Sequence, residues 1–188
     1  MSVTLMDVFN RIQAIAPQIS RDPLSGARHA PESWATTTQC FANAERKAIE
    51  AGGTMLPGWF FHFRDVATLP GRSYIIAVHH AVWLAPDKKL IDVTPFHSDP
   101  KHRPLVVNGD AVLFLVDQDA VPLKSATAGL ALPSWFFPMT DDRDLAVHVA
   151  RTEADELDSW EKQVAESEFK TSSRAVDLLR SRRARLRC

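Results

Sequence analysis

Apolar residues at Val3, Met6, Phe9, Ile12 and Ile15 recur at near-helical spacing up to Pro17, which predicts a short amphipathic helix over residues 3–15. Residues 20–31, with Pro23, Gly26 and Pro31, read as loop. A second helix is predicted over 39–51, capped by the Thr36–Thr38 run and stopped at Gly52-Gly53. Its buried stripe would be Phe41, Ala44, Ala48 and Ile49, with Glu45, Arg46, Lys47 and Glu50 facing water.

The composition then changes. Met55–Phe63, residues 73–85, Leu90–Thr94 and Ala111–Val116 are rich in aromatic, β-branched and other apolar residues, and read as strands. Asn108-Gly109-Asp110 predicts a hairpin joining Leu105–Val107 to Ala111–Val116. The connections are too short for crossover helices, so the sheet is expected to be antiparallel. Residues 120–140 read as irregular, ending in Trp135-Phe136-Phe137-Pro138. From Asp141 the pattern is helical and densely charged, with a broken stripe at Leu145, Val149, Leu157, Trp160, Val164 and Phe169 that suits packing on the core or on another chain. The expected fold class is α+β, a helix packed on an antiparallel sheet over 1–140, followed by a charged helical C-terminal extension over 141–188.

Length and charge narrow the function classes. With 188 residues and 45% hydrophobic content, the chain holds one core, or one core and an appendage. A net charge of -1 points globally to neither nucleic acid nor an anionic membrane. Residues 174–188 carry six Arg against one Asp; such a run reads as a solvated tail more readily than as a contact for phosphate-rich partners. The same helical end is a candidate surface for a protein partner. No stretch approaches the roughly 20 apolar residues of a membrane span, and the N-terminus does not read as a signal peptide. Two cysteines, Cys40 and Cys188, make no disulfide framework, and a cytoplasmic location is expected.

Candidate chemistry concentrates in three residues. A thiol needs a base to become a nucleophile, and the base needs a third group to orient it. Cys40 falls in the first turn of the second predicted helix, where unpaired backbone N–H groups and the positive end of the dipole favour thiolate. Its own N–H is a candidate oxyanion donor, with the side chain of Gln39 beside it. With a short loop at Ala85-Pro86-Asp87, a hairpin would set His80 directly opposite Asp92; a slip of one residue would present His79 as the base instead. Trp34 and Trp59 are candidate walls of a substrate groove, although the default place for such rings is the core. His97 and Asp99 with the distant His148 form a weaker alternative, a two-His-one-carboxylate metal site. No nucleotide, dinucleotide or zinc motif is present, and no cofactor is expected.

Cys40 at a helix start, then His80-Ala81-Val82-Trp83, then Asp92-Val93-Thr94-Pro95, resembles the transglutaminase-like branch of the papain-like thiol enzymes over residues 34–96, with Gln39 in place of the small residue typical before the cysteine. That resemblance implies a papain/transglutaminase-like core. It also implies a Cys40 nucleophile, a His80 base and acid, and an orienting Asp92 carboxylate. The activity implied is cysteine-dependent hydrolysis or transfer (peptidase, amidase, deamidase or transglutaminase-like) on a peptide, protein or small amide substrate. The group also contains inactive relatives that act as binding modules, which is the alternative reading.

Overall fold

A computed structural model describes residues 3–124, 129–166 and 173–186. Helix α1 (Leu5–Ile19) starts at a Thr4/Asp7 capping box and runs through Pro17. Strand β1 (Leu24–His29) leads to α2 (Cys40–Ala51), β2 (Thr54–Asp65), β3 (Ser73–Leu84) and β4 (Leu90–Asp92). A 3-10 turn (Pro100–His102) precedes the hairpin of β5 (Val106–Val107) and β6 (Ala111–Val116). Asn108 and Gly109 at that turn both have positive φ, 49° and 78°, as a two-residue hairpin loop requires. The short strands β7 (Leu123–Lys124), β8 (Gly129–Leu130) and β9 (Trp135–Pro138) follow, then α3 (Arg143–Glu166) and α4 (Ser173–Leu186).

The expected open sheet with a helix laid on it is not the architecture. Strands β1, β4, β3, β2 and β6 are hydrogen-bonded in that order, and β6 pairs back onto β1, so the five close into a barrel. The closing strand is β1, in the stretch that reads as loop. Its inward content is slight, with only Ala27 fully buried, so it carries no hydrophobic alternation. Its backbone pairs antiparallel with β6 and parallel with β4. Such pairing is made by N–H and C=O groups that every sequence carries. Trp135–Pro138 likewise forms a strand, on the edge of β3.

Alternation along the strands sends their side chains to two cores. The barrel interior holds Ala27, Phe60, Val82, Val112, Phe114 and Val116. The outer face presents Trp59, Phe61, Ile75, Ala77, Leu113 and Leu115 to the stripe Val8, Ile12, Ile15, Ala16 and Ile19 of α1. Gly58 lets β2 and β6 approach closely, since a Cβ there would lie 2.2 Å from the Leu115 carbonyl oxygen. Helix α2 packs against β2 and β3, where Trp83 Nε1 donates to the Gly52 carbonyl at 2.8 Å.

The helical end joins the same body. Leu145, Val149 and Phe136 pack together, and Trp160 enters the α1-side core. From α4, the buried Arg182 pairs with Glu153 at 2.9 Å, donates to the Pro133 and Ser134 carbonyls, and lies over the Trp135 ring. Phe169, Arg187 and Cys188 lie outside the described residues. No helix among the described residues is long and apolar enough to cross a membrane.

Candidate active site

Strand β3 is covered by β9 along Tyr74–Ala77 and by β4 at Trp83–Leu84, which leaves its edge bare between them. The N-terminus of α2 fills this gap. Helix α2 begins at Cys40, and its cap residue is Gln39, whose side chain makes no capping bond. The expected Thr cap is therefore absent; Thr38 instead turns the chain with φ 69°. The amides of the first turn are left without a side-chain partner, as an anion site needs.

The buried face of α2 is also rotated from the expected stripe. Cys40, Asn43 and Ala44 are buried, while Ile49 is 81% exposed. Asn43 replaces a hydrophobe because it has work for every polar atom. Its Oδ1 accepts from Thr36 N–H at 3.2 Å, and its Nδ2 donates to the Thr36 carbonyl at 2.8 Å and to Thr94 Oγ1 at 3.2 Å. Asn43 thereby fixes the loop before Cys40 to the segment after Asp92.

His80 lies on the inner face of β3, opposite Gly58 in the register. Phe60 stacks on the imidazole at 3.9 Å between centroids. The expected register needs a correction of two residues. Trp83 pairs with Ile91 and Leu84 with Leu90, so His80 and Asp92 are diagonal neighbours rather than directly opposite. A shift of two keeps both side chains on one face, and His80 Nε2 donates to Asp92 Oδ1 at 3.1 Å. Asp92 is 1% exposed and also accepts from Thr94 N–H at 3.1 Å.

The Cys40 thiol interacts with the His80 side chain and with the backbone of Ala81. Pro57, the partner of Ala81 on β2, has no N–H, and its carbonyl turns away to accept from Asp117 N–H at 3.1 Å. That leaves the Ala81 amide free for the sulfur. Burial pushes the thiol up, but the charge and hydrogen bond of His80 and the Ala81 backbone outweigh it, and Cys40 lies below its ordinary value. Burial likewise works against imidazolium at His80, yet Cys40 and Asp92 raise it to about 10. Both shifts favour a thiolate–imidazolium pair.

His79 faces the opposite side of β3, 3% exposed, between Phe41 and Trp59. Its Nε2 donates to the Ala120 carbonyl at 2.6 Å, and its Nδ1 accepts from Leu132 N–H at 2.8 Å. With both nitrogens used and burial lowering it to about 3, it stays neutral and is not poised as a base. Trp59 points into the α1-side core and donates from Nε1 to Asp117 at 2.9 Å. Trp34 lies under the Arg46 guanidinium at 4.0 Å, off the cleft wall. Gln39 does line the cleft and is exposed there. His97 accepts from Asp99 N–H and meets His102, while His148 meets Tyr74. Among the described residues no three His, Cys, Asp or Glu side chains come together to hold a metal.

His29, which lies in the stretch read as loop, joins the site. It stacks on Phe96 at 3.5 Å, donates from Nε2 to the Thr94 carbonyl at 3.0 Å, and stands 3.9 Å from Asp92 Oδ2. The parallel pairing of β1 with β4 brings it there, setting His29 beside Asp92. The cleft holds about 1080 Å³ and runs from Cys40 and His80 along the inner face of β2 and β3 to Arg64 and Tyr74.

Known proteins add nothing to this geometry. Comparisons of the chain with protein-family models, curated proteins and solved structures return no match.

Proposed function

We propose that this chain is a thiol-dependent hydrolase or acyl transferase acting on an amide or related acyl bond. The observation that carries the reading is the continuous chain Cys40–His80–Asp92 on the cleft wall, with the thiol lowered and the imidazole raised. The Cys40 thiolate attacks the substrate carbonyl, and the carbonyl electron pair moves onto oxygen. The Cys40 N–H, with the Gln39 amide at hand, donates to that oxyanion. As the C–N bond breaks, His80 delivers its proton to the leaving amine, and a thioester remains on Cys40. Water or another nucleophile, deprotonated by His80, attacks the thioester and regenerates the thiolate–imidazolium pair. Asp92 holds the ring so that one nitrogen faces the sulfur throughout.

This division of roles is the one that the transglutaminase-like resemblance implies. The barrel is not the core that it implies, so only the chemistry of the triad is carried over. The cleft admits a peptide, an exposed protein segment or a small amide.

The test is the pH dependence of Cys40 alkylation by iodoacetamide in a Cys188→Ser background. Rapid labelling well below the ordinary thiol range of about 8.5 is expected, collapsing in His80→Ala and weakening in Asp92→Asn. Slow labelling with an ordinary thiol profile would overturn the reading.

A further inference from the structure

The far end of the cleft carries chemistry that the triad does not use. Along the inner face of β2, Phe60, His62 and Arg64 follow one another; Val78, Ile76 and Tyr74 face them across β3. Arg64 is half-buried and makes no ion pair among the described residues. Its only hydrogen bond there is to the Phe63 carbonyl, at 3.4 Å. His62 is 7% exposed and meets the Lys101 backbone, while its buried Nδ1 has no hydrogen-bond partner among the described residues. A buried ring nitrogen left unsatisfied costs about 1–3 kcal/mol. The Arg64 guanidinium beside it can offer a carboxylate two parallel N–H bonds.

The charges that bear on His62 are positive. Burial first, and then the charges of Arg64, His80 and His102, lower His62 to about 3. The nearby wall carboxylate, Glu156 on α3, is engaged by Ser134 N–H, and Glu45 near Cys40 pairs with Lys124. An anion between Arg64 and His62 would meet both unmet needs. It would accept from the guanidinium, and it would offset the burial and repulsion at His62, so that the ring takes a proton at Nδ1 and donates it.

We propose that Arg64 and His62 form a carboxylate subsite, so that the preferred acyl donor is an extended, acidic peptide-like molecule. Its carbonyl sits at Cys40 while its carboxylate reaches Arg64. From Gly58, opposite His80, to Arg64 the strand runs about 20 Å at roughly 3.3 Å per residue, less the reach of the arginine side chain. This rests on the thiol reading above for the position of the carbonyl, but not for the anion site itself.

The experiment uses the full chain, Cys188→Ser, and a series of N-iodoacetyl oligoglycines of two to six residues, each as free acid and as C-terminal amide. For the longer members, the free acid is expected to alkylate Cys40 at least about tenfold faster than the amide. The preference should vanish in the shortest members and fall towards one in Arg64→Gln and in His62→Phe. Taking the acid-to-amide ratio cancels any change in the thiol itself. A ratio near one at every length in the unmutated chain, or a preference that survives Arg64→Gln, would overturn the subsite.

Plain iodoacetamide serves as the separate control. If it fails to label Cys40 rapidly, the thiol reading falls. The subsite is then read by calorimetric titration of hexaglycine acid against its amide. Acid-selective binding lost in Arg64→Gln upholds it, and equal binding of the two rejects it.

Discussion

Two adjacent histidines on β3 have opposite fates because strand side chains alternate between faces. His80 has a thiol and a carboxylate as partners, and is pushed up. His79 is buried between two backbone groups and is pushed down. Its work is to pin the Ala120 carbonyl and the Leu132 amide to the barrel. His79→Leu leaves both backbone groups without that partner, and should lower stability by about 2–4 kcal/mol in urea unfolding. The pH profile of Cys40 alkylation should keep its position. A large shift of that profile would show that His79 also tunes the thiol. The sequence exposes the doubled histidine and the triad order. It does not show which ring finds partners, since Ala120 and Leu132 are some 40 and 53 positions away.

Among the elements, the β2–β6 contact is the tightest feature of the barrel. Gly58 stands where Leu115 and Phe114 leave no room for a Cβ, and it also faces His80. Gly58→Ala must push β6 away or tilt β2. A cost of about 2–3 kcal/mol is expected, as for other overpacked cores, together with slower alkylation of Cys40 as β2 shifts against the β3 strand that carries His80. Equal urea midpoints for Gly58→Ala and the parent would contradict this account. Helix α2, the two long strands and the Asn-Gly hairpin were legible because each declares itself locally through capping glycines, β-rich runs or turn chemistry. Strands β1 and β9 were not, because one is nearly without apolar alternation and the other lies in a proline-punctuated stretch. Their strand form comes from neighbours that the local pattern cannot reveal.

For the whole molecule, the Cys40–His80 pair links stability to pH, with signs fixed by the two shifts. Unfolded, the thiol and imidazole titrate near 8.5 and 6.5. Folded, Cys40 is lowered and His80 is raised to about 10, so the native pair holds one proton across the range between. The unfolded pair also holds one proton from about 6.5 to 8.5, so in that range the contribution is flat wherever pH exceeds the folded value of Cys40. As pH falls further, stability is lost while the unfolded state holds two protons and the native pair one. Above about 8.5 the unfolded state binds fewer, so stability is lost as pH rises towards the folded value of His80. Urea midpoints measured between pH 5 and 10 should show this plateau. Relative to the parent, a Cys40→Ala, His80→Ala protein should lack the decline above 8.5.

The sequence by itself marked the Cys-bearing helix, the two long strands β2 and β3, the Asn-Gly turn, and the order of the candidate nucleophile, base and carboxylate. These are local properties, carried by residues within a few positions of one another. Only the tertiary structure decided that the sheet closes. Closure depends on backbone pairing of β1, a strand with almost no hydrophobic signature, with β6, while its other edge pairs with β4 and sets His29 beside Asp92. The tertiary structure also chose which face of α2 is buried, because Asn43 finds Thr36 and Thr94 there while Ile49 finds nothing. That His62 Nδ1 lacks a partner and Arg64 an ion pair among the described residues emerges at the same level. Whether a buried polar atom lacks a partner depends on everything packed around it.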